Sequence, residues 1–298
     1  MTECLKFHRL SQTDEKYYNE LYGKQKEKSA DYTFVNLWCW QNKYRPEVAF
    51  AQDLCWIRII DNGTKRLLAP VGNYQNRNWR QILSEYFTSF PDFIKVPESF
   101  KAELEKQFAG EICITADRNN WEYVYSVRKL IELQGSAYAN KRKAANRFMR
   151  ENDCSFGMLT SKDAEEVRSF QQQWLQMAES GNYNPRELAA ENEAIKIFLQ
   201  DWACFQTRVF GFGIWIHDKL AAFALGECVG NEELIIHFEK ADKTFSGIYP
   251  AVNRLCLENF SDFSFVNREQ DLGNEGLRKV KTEYNPEFFI KKYNIGIR

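Results

Sequence analysis

Phe265-Val-Asn-Arg-Glu-Gln-Asp-Leu-Gly-Asn-Glu-Gly-Leu-Arg-Lys-Val-Lys-Thr-Glu-Tyr-Asn-Pro286 is the stretch on which the reading of this chain turns. Residues 265 to 271 alternate as a strand does, so Phe265, Asn267, Glu269 and Asp271 share one face. Leu272-Gly-Asn-Glu-Gly276 is turn chemistry, with Asn274 able to cap a helix that follows. That helix must stop before Pro286, because the residue preceding a proline is pushed out of helical geometry. Leu277, Val280 and Tyr284 fall at i, i+3 and i+7 and predict its buried stripe, while Lys279 faces the other way. Lys281 sits at i+4 on the same stripe and is predicted to point inward. An inward ammonium needs a partner, and the acids of the preceding strand are nearest in sequence. Two readings follow. The segment is an ion-pair network that fixes the last strand and helix, or it is a polar site at the C-terminal end of a strand, where open α/β sheets commonly bind ligands.

Working outward, the 298 residues suffice for one large domain or two ordinary ones. Apolar residues make up 44% and charged residues 27%, which is a globular composition and excludes a disordered chain. A net charge of −1 means that any nucleic-acid contact must come from a local patch. The eight cysteines are scattered, mostly in apolar runs and without a Cys-x-x-Cys pair, which predicts buried free thiols in a reducing compartment. Only His8, His217 and His237 are present and none lies in a Cys/His cluster, so no metal site is expected. The N-terminus has no apolar core of a signal peptide, and no run approaches the roughly 18 apolar residues of a spanning helix. A soluble, cytoplasmic protein is expected.

Strands and helices alternate along the whole chain. In the second half, helices are predicted near 164–177 and 187–202, followed by strands near 208–217, 219–228 and 233–240. The Ser246-Gly-Ile-Tyr-Pro250 loop then leads into a helix reaching about Phe260, and the opening segment follows. This order, helix–helix–strand–strand–strand–helix–strand–helix, resembles that of a GNAT-type acyltransferase fold. The first half reads as a degenerate version of the same order. The expectation is therefore an α/β (α+β) protein of two tandem GNAT-like lobes, residues 1–133 and 134–298, each a mixed, mostly antiparallel sheet flanked by helices. The second lobe opens with a basic segment, residues 134–150, holding five Lys/Arg and no acid. On a helix, Tyr138, Ala145, Phe148 and Met149 form its apolar arc, Lys143, Arg147 and Arg150 share the opposite face, and Arg142 lies at the edge. Such a face either is simply solvated or meets phosphates.

Several of these segments resemble one family. Leu277-Arg-Lys-Val-Lys-Thr-Glu-Tyr-Asn-Pro286 is similar to the C-terminal signature of the phosphatidylglycerol lysyltransferase catalytic domain. The basic block Lys141-Arg142…Asn146-Arg147-Phe148 resembles the helix that precedes that family's second lobe, and Asn267-Arg-Glu-Gln-Asp-Leu-Gly273 and His237-Phe-Glu-Lys-Ala241 resemble a bacterial subgroup of it. The resemblance implies the tandem fold that this family shares with the Fem-type ligases. It also implies transfer of an aminoacyl group from charged tRNA to a lipid or peptide acceptor. The lysyltransferase itself has a membrane-embedded half with no counterpart in these residues, so the acceptor stays open: a small molecule, a peptide or a lipid.

Aminoacyl transfer needs a proton acceptor, stabilisation of the tetrahedral oxyanion and cations for the donor's phosphates. Glu239, Asp271 and Glu269 are candidates for the base or for orienting the donor's amino group. Lys281 is the candidate for the oxyanion or a phosphate, and Arg278 for a phosphate, because of its fork geometry. Arg142, Arg147 and Lys141 would meet the tRNA end. Asn267, Gly247, Tyr249 and His237 complete the candidate binding set, although His237 also reads as a core histidine satisfied by a backbone partner. Gly247 and Tyr249 belong to Lys243-Thr-Phe-Ser-Gly-Ile-Tyr249, where acetyl-CoA enzymes of this fold carry an Arg/Gln-x-x-Gly-x-Gly/Ala loop. This chain has one glycine there and a tyrosine in place of the second small residue. No tightly bound cofactor is expected. An acyl-CoA-dependent transferase, or a non-catalytic binding protein on the same fold, is the alternative.

Overall fold

A computed structural model describes residues 4–179 and 184–298. The chain divides into two compact units. The first consists of Met1–Glu122, Gln270–Asn274 and Phe289–Arg298, the second of Tyr123–Glu269 and Glu275–Phe288.

The first unit carries β1 (His8–Arg9), α1 (Glu15–Gly23), α2 (Phe34–Cys39), α3 (Gln41–Tyr44), β2 (Glu47–Ala51), β3 (Leu54–Asp61), β4 (Thr64–Leu68) and β5 (Val71–Gly72). It continues through α4 (Trp79–Tyr86), β6 (Phe93–Pro97), α5 (Glu98–Gln107) and β7 (Ile112–Ala116). Its sheet runs β1-β2-β3-β4-β6-β15-β7, with β5 paired to β3, and β15 (Lys292–Ile297) is supplied by the end of the chain. Asn62 and Gly63, both at positive φ, make the two-residue turn between β3 and β4 that twisted antiparallel strands favour. Trp79 and Phe100 meet edge to face at 4.7 Å, and Phe93 meets Phe100 at 5.4 Å, in a core that also buries Trp56, Tyr18 and Tyr32.

The second unit begins within β8 (Glu122–Ser126). It continues through α6 (Val127–Glu132), α7 (Ala139–Glu151), β9 (Cys154–Leu159), α8 (Ala164–Glu179) and α9 (Pro185–Asp201). Then follow β10 (Val209–Ile216), β11 (Lys219–Val229), β12 (Glu233–Ala241), α10 (Ile248–Glu258), β13 (Phe265–Asn267), α11 (Glu275–Thr282) and β14 (Phe288–Ile290). The sheet order is β14-β8-β13-β12-β11-β10-β9. Every strand pair resolved from β9 through β12 is antiparallel, whereas β12 and β13 run parallel, with Glu233, Leu234 and Ile235 opposite Phe265, Val266 and Asn267. His217 and Asp218, both at positive φ, make the tight turn into β11.

The parallel pair matters most. β12 runs six residues beyond Ile235, but β13 stops at Asn267, so the two strands part there. Alternation along β12 turns Phe238 and Lys240 toward α8 and α9, where Phe238 meets Phe198 and Lys240 pairs with Glu191 at 2.7 Å over the Trp174 ring. His237 and Glu239 turn the other way.

Three expectations are corrected, one at the start of α10 and two in the opening segment. Its strand ends at Asn267 rather than 271, because the Asn267 side-chain oxygen accepts the Glu269 N–H at 2.8 Å and Glu269 turns into the left-handed region at φ 58°. The stripe of α11 is also inverted. Leu277 is 40% exposed and Val280 47%, while Arg278 and Lys281 face inward and Tyr284 is buried beyond the helix end. Polar anchoring overrides the amphipathic pattern here: the Lys281 ammonium lies on a carbonyl, and the Tyr125 hydroxyl donates to the Lys281 carbonyl at 2.8 Å, closing the helix. Finally, α10 starts at Ile248 with Pro250 as its third residue, where a missing N–H still costs nothing. In α7, Met149 is exposed although the predicted arc includes it. β14 and β15, which follow Pro286, are absent from the sequence reading.

Candidate functional site

The gap where β12 and β13 part is filled by side chains of the second unit. Arg268, the first residue past β13, puts Nη2 at 3.0 and 3.2 Å from the two carboxylate oxygens of Glu239 on β12. Asn253 of α10, with its amide oxygen turned to the guanidinium, accepts from Nη1 at 3.1 Å and Nε at 3.2 Å. The guanidinium lies over the rings of Tyr284 at 5.1 Å and Tyr125 at 5.9 Å. A planar, five-donor cation suits this setting, where a lysine would leave acceptors unmet. Burial keeps both phenols neutral, pushing Tyr284 up to about 12.

A second bridge lies beside the first. His237 donates through Nδ1 to Glu269 at 2.8 Å and through Nε2 to Glu227 at 2.9 Å. Burial alone would lower the imidazole pKa, but the two carboxylates raise it to about 10, so the ring is an imidazolium at neutral pH. The partners of His237 are thus carboxylates, not the backbone group expected from sequence. Lys281 does reach inward, yet it donates to the Arg268 carbonyl, 2.6 Å away, with its ammonium 5.8 Å from the Tyr123 ring centre.

Of the residues singled out in the sequence, His237, Glu239, Glu269, Lys281 and Asn267 come together around Arg268. Asp271 does not join them. It belongs to the first unit, where it is buried against Arg118 at 3.1 Å and accepts the Gly273 N–H. Arg278 is half-buried on α11. Gly247, at φ 89°, precedes α10 and packs so closely that a Cβ would meet the Ala144 carbonyl of α7 at 2.3 Å. Tyr249 accepts the Ala241 N–H at 3.3 Å. The basic segment is bound up locally. Arg142 donates to the Leu133 and Gly135 carbonyls at the end of α6, Arg147 pairs with Glu151, and Lys141 pairs with Glu283 at 2.9 Å. A cavity of about 500 Å³ elsewhere in this unit is walled by Lys129, Tyr138, Asn285 and Glu287, and none of the predicted site residues lines it.

Sequence reasoning missed Arg268, because alternation through residue 271 assigns it to the face opposite Glu269. It also missed Glu227, whose signal was available: a lone acid in the apolar run of β11 must have a buried partner. In the first unit it missed a further buried network. Lys292 is held by Asp31 at 2.7 Å and Glu122 at 2.6 Å, and Asp31 also takes Lys95 at 2.7 Å.

Against known proteins, the model of the family "Phosphatidylglycerol lysyltransferase, C-terminal" matches residues 24–296. The chain belongs to that family. Among curated proteins, an uncharacterised protein of Mycoplasmoides gallisepticum is 26% identical to this family member over 179 residues. That match spans 59% of this chain and 56% of the relative, little more than half its length. Among solved structures, a conserved protein of unknown function from Bacteroides thetaiotaomicron superposes with a TM-score of 0.88 at 23% identity, covering 99% of this chain and 100% of that one. L-PGS from Bacillus licheniformis does so at 0.65 and 13%, covering 97% and 92%, and FemX at 0.61 and 6%, covering 99% and 98%. At these identities the likeness is one of fold. The lysyltransferase-family chain is a mixed α/β protein with two helix-flanked sheets of the GNAT-like and FemX-like kind. Among its described residues, no helix is long and apolar enough to cross a membrane.

Proposed function

We propose that the chain is an aminoacyltransferase that takes an aminoacyl group from charged tRNA to an amine or hydroxyl acceptor, with the chemistry at the parting of β12 and β13 in the second unit. The observation that carries this reading is the inward ammonium of Lys281 beside the Arg268–Glu239 pair, in a chain of the lysyltransferase family. In the reaction the acceptor's nitrogen or oxygen attacks the aminoacyl carbonyl carbon and loses its proton to a carboxylate, for which Glu239 and Glu269 are the candidates. The ester bond to the tRNA 3′ end breaks, and the leaving oxygen takes up a proton. Lys281 stabilises the intervening oxyanion. Arg268 holds Glu239 in place, and the exposed Lys143 and Arg150 of α7, with Arg147, offer positive charge to a phosphate backbone.

An acyl-CoA donor fits less well. The loop before α10 that would cradle a pyrophosphate is backed by the Ala144 carbonyl and closed by the Tyr249–Ala241 hydrogen bond. The test is to offer the purified chain lysyl- and alanyl-tRNA, and separately acetyl-CoA, and follow loss of the acyl ester or thioester. Accelerated deacylation of a charged tRNA alone is the expected outcome. Thioester turnover alone would replace this reading with the acyl-CoA one.

A further inference from the structure

Glu227 has no part in the chemistry just described, yet the sheet is shaped around it. Leu225 of β11 faces Phe238 and Gly226 faces Ile236, so His237 is the extra residue of a β-bulge on β12. Bulges of this kind re-aim one side chain. Only glycine fits opposite: a Cβ on Gly226 would meet the Ile235 carbonyl at 2.2 Å and the Phe210 ring at 2.7 Å. The bulge turns the imidazole so that both nitrogens are engaged, Nε2 by Glu227 and Nδ1 by Glu269. Side-chain exposure along the three is 3%, 2% and 18%, so the line runs from the interior of the sheet out to the site.

At its outer end the line meets a backbone that needs holding. Glu269 is a non-glycine residue in the left-handed region, a conformation that surrounding contacts must impose. Its N–H is taken by Asn267, its carbonyl accepts from Tyr123 N at 3.1 Å, and its side chain is pinned by His237. The adjacent carbonyl, that of Arg268, is the one on which Lys281 rests.

We propose that Glu227 and His237 are positioning residues: they lock the Glu269 turn and through it hold the Arg268 carbonyl and Lys281 in register. This rests on the reading of the unit as an aminoacyltransferase only for the kinetic part of its test. Besides Glu227 from β11 and Glu269 from the end of β13, the charged groups around His237 are Glu239 on its own strand, Arg268, and Lys281 from α11. The lock is an imidazolium lock. The raised pKa means that its contribution is complete below the ordinary histidine value of 6.5 and is lost as pH rises through about 10. Replacing Glu227 by Gln removes one of the two carboxylates, so the lock should open at lower pH.

The chain has three histidines, so the imidazole of His237 can be followed directly by 15N NMR. In the wild type it is expected to remain charged at pH 8. In Glu227→Gln its midpoint should fall by at least about one unit, and the Glu269 amide should lose roughly ten-fold or more of its hydrogen-exchange protection above the new midpoint. Turnover of aminoacyl-tRNA by the variant should approach the wild-type rate at pH 6 and drop roughly ten-fold by about one pH unit above the new midpoint, with KM unchanged. Glu227→Asp serves if the glutamine variant does not fold. A wild-type His237 that titrates near 6.5, Glu269 protection indifferent to the substitution, or a rate lowered equally at every pH would each overturn the proposal. A wild type that turns over no charged tRNA would instead defeat the functional reading, leaving the NMR and exchange results to judge the lock.

Discussion

Each unit buries an ionic cluster, and the two are built on different principles. In the first unit, Asp31, Glu122, Lys95 and Lys292 balance two against two, with Lys292 and Glu122 fully buried. Backbone and hydroxyl donors close what remains: Ser29 Oγ at 2.8 Å and the Ala30 N–H at 3.0 Å both reach Glu122. In the second unit, the Glu227–His237–Glu269 and Glu239–Arg268–Asn253 groups fill a gap between diverging strands, keep partial exposure at Glu269, Glu239 and Arg268, and sit against a left-handed backbone. A sealed, balanced cluster clamps a fold. A cluster at a strand divergence is where open sheets commonly place a site. Neither burial of charge nor left-handed backbone separates the two, since Lys95 of the first cluster lies at φ 54° and is as accessible as Glu239; what differs is that the first closes around the fully buried Lys292–Glu122 pair, whereas the second fills a gap between diverging strands.

The largest expected effect comes from the sealed cluster. Lys292→Met leaves Asp31 and Glu122 buried without their shared cation and should cost the first unit about 3–5 kcal/mol, read by denaturant unfolding followed with hydrogen exchange in that unit. Its pH signature is on the acid side. Burial alone would raise the Asp31 pKa, but Lys292 and Lys95 hold it well below the carboxylate range. That contribution is present above the ordinary aspartate value and is lost as pH falls through the depressed one, so the variant should begin acid unfolding at higher pH. An unchanged acid limb would remove the clamp from the account, and with it the contrast.

The smallest effect tests the other side. Leu277→Ser and Val280→Ser, on the outward face of α11, should each shift stability by no more than about 0.5 kcal/mol. A loss of about 2 kcal/mol at either position would mean that the helix buries the stripe its sequence pattern implies.

How much was legible in the sequence follows the same divide. Turns with a two-residue signature, Asn62-Gly63 and His217-Asp218, are readable because backbone sterics decide them locally. The inward course of Lys281 was readable from helical spacing, but the exposure of Leu277 and Val280 was not, since α11 is a short helix held by hydrogen bonds at its inner face. His237, Glu239 and Glu269 could be nominated because they lie within or near polar motifs. The clamp could not, because Asp31 and Lys292 are 261 positions apart and neither sits in a motif. Arg268 was hidden by a strand that ends four residues before the alternation does.

The most direct test of the central claim, that the second unit's cluster is a site, is Lys281→Met assayed for aminoacyl-tRNA deacylation alongside thermal unfolding. Removing the group proposed to meet the oxyanion should slow deacylation by about 100-fold or more while stability changes by no more than about 1 kcal/mol. A collapsed melting transition, or a full deacylation rate in a folded variant, would place Lys281 with Lys292 as a structural lysine.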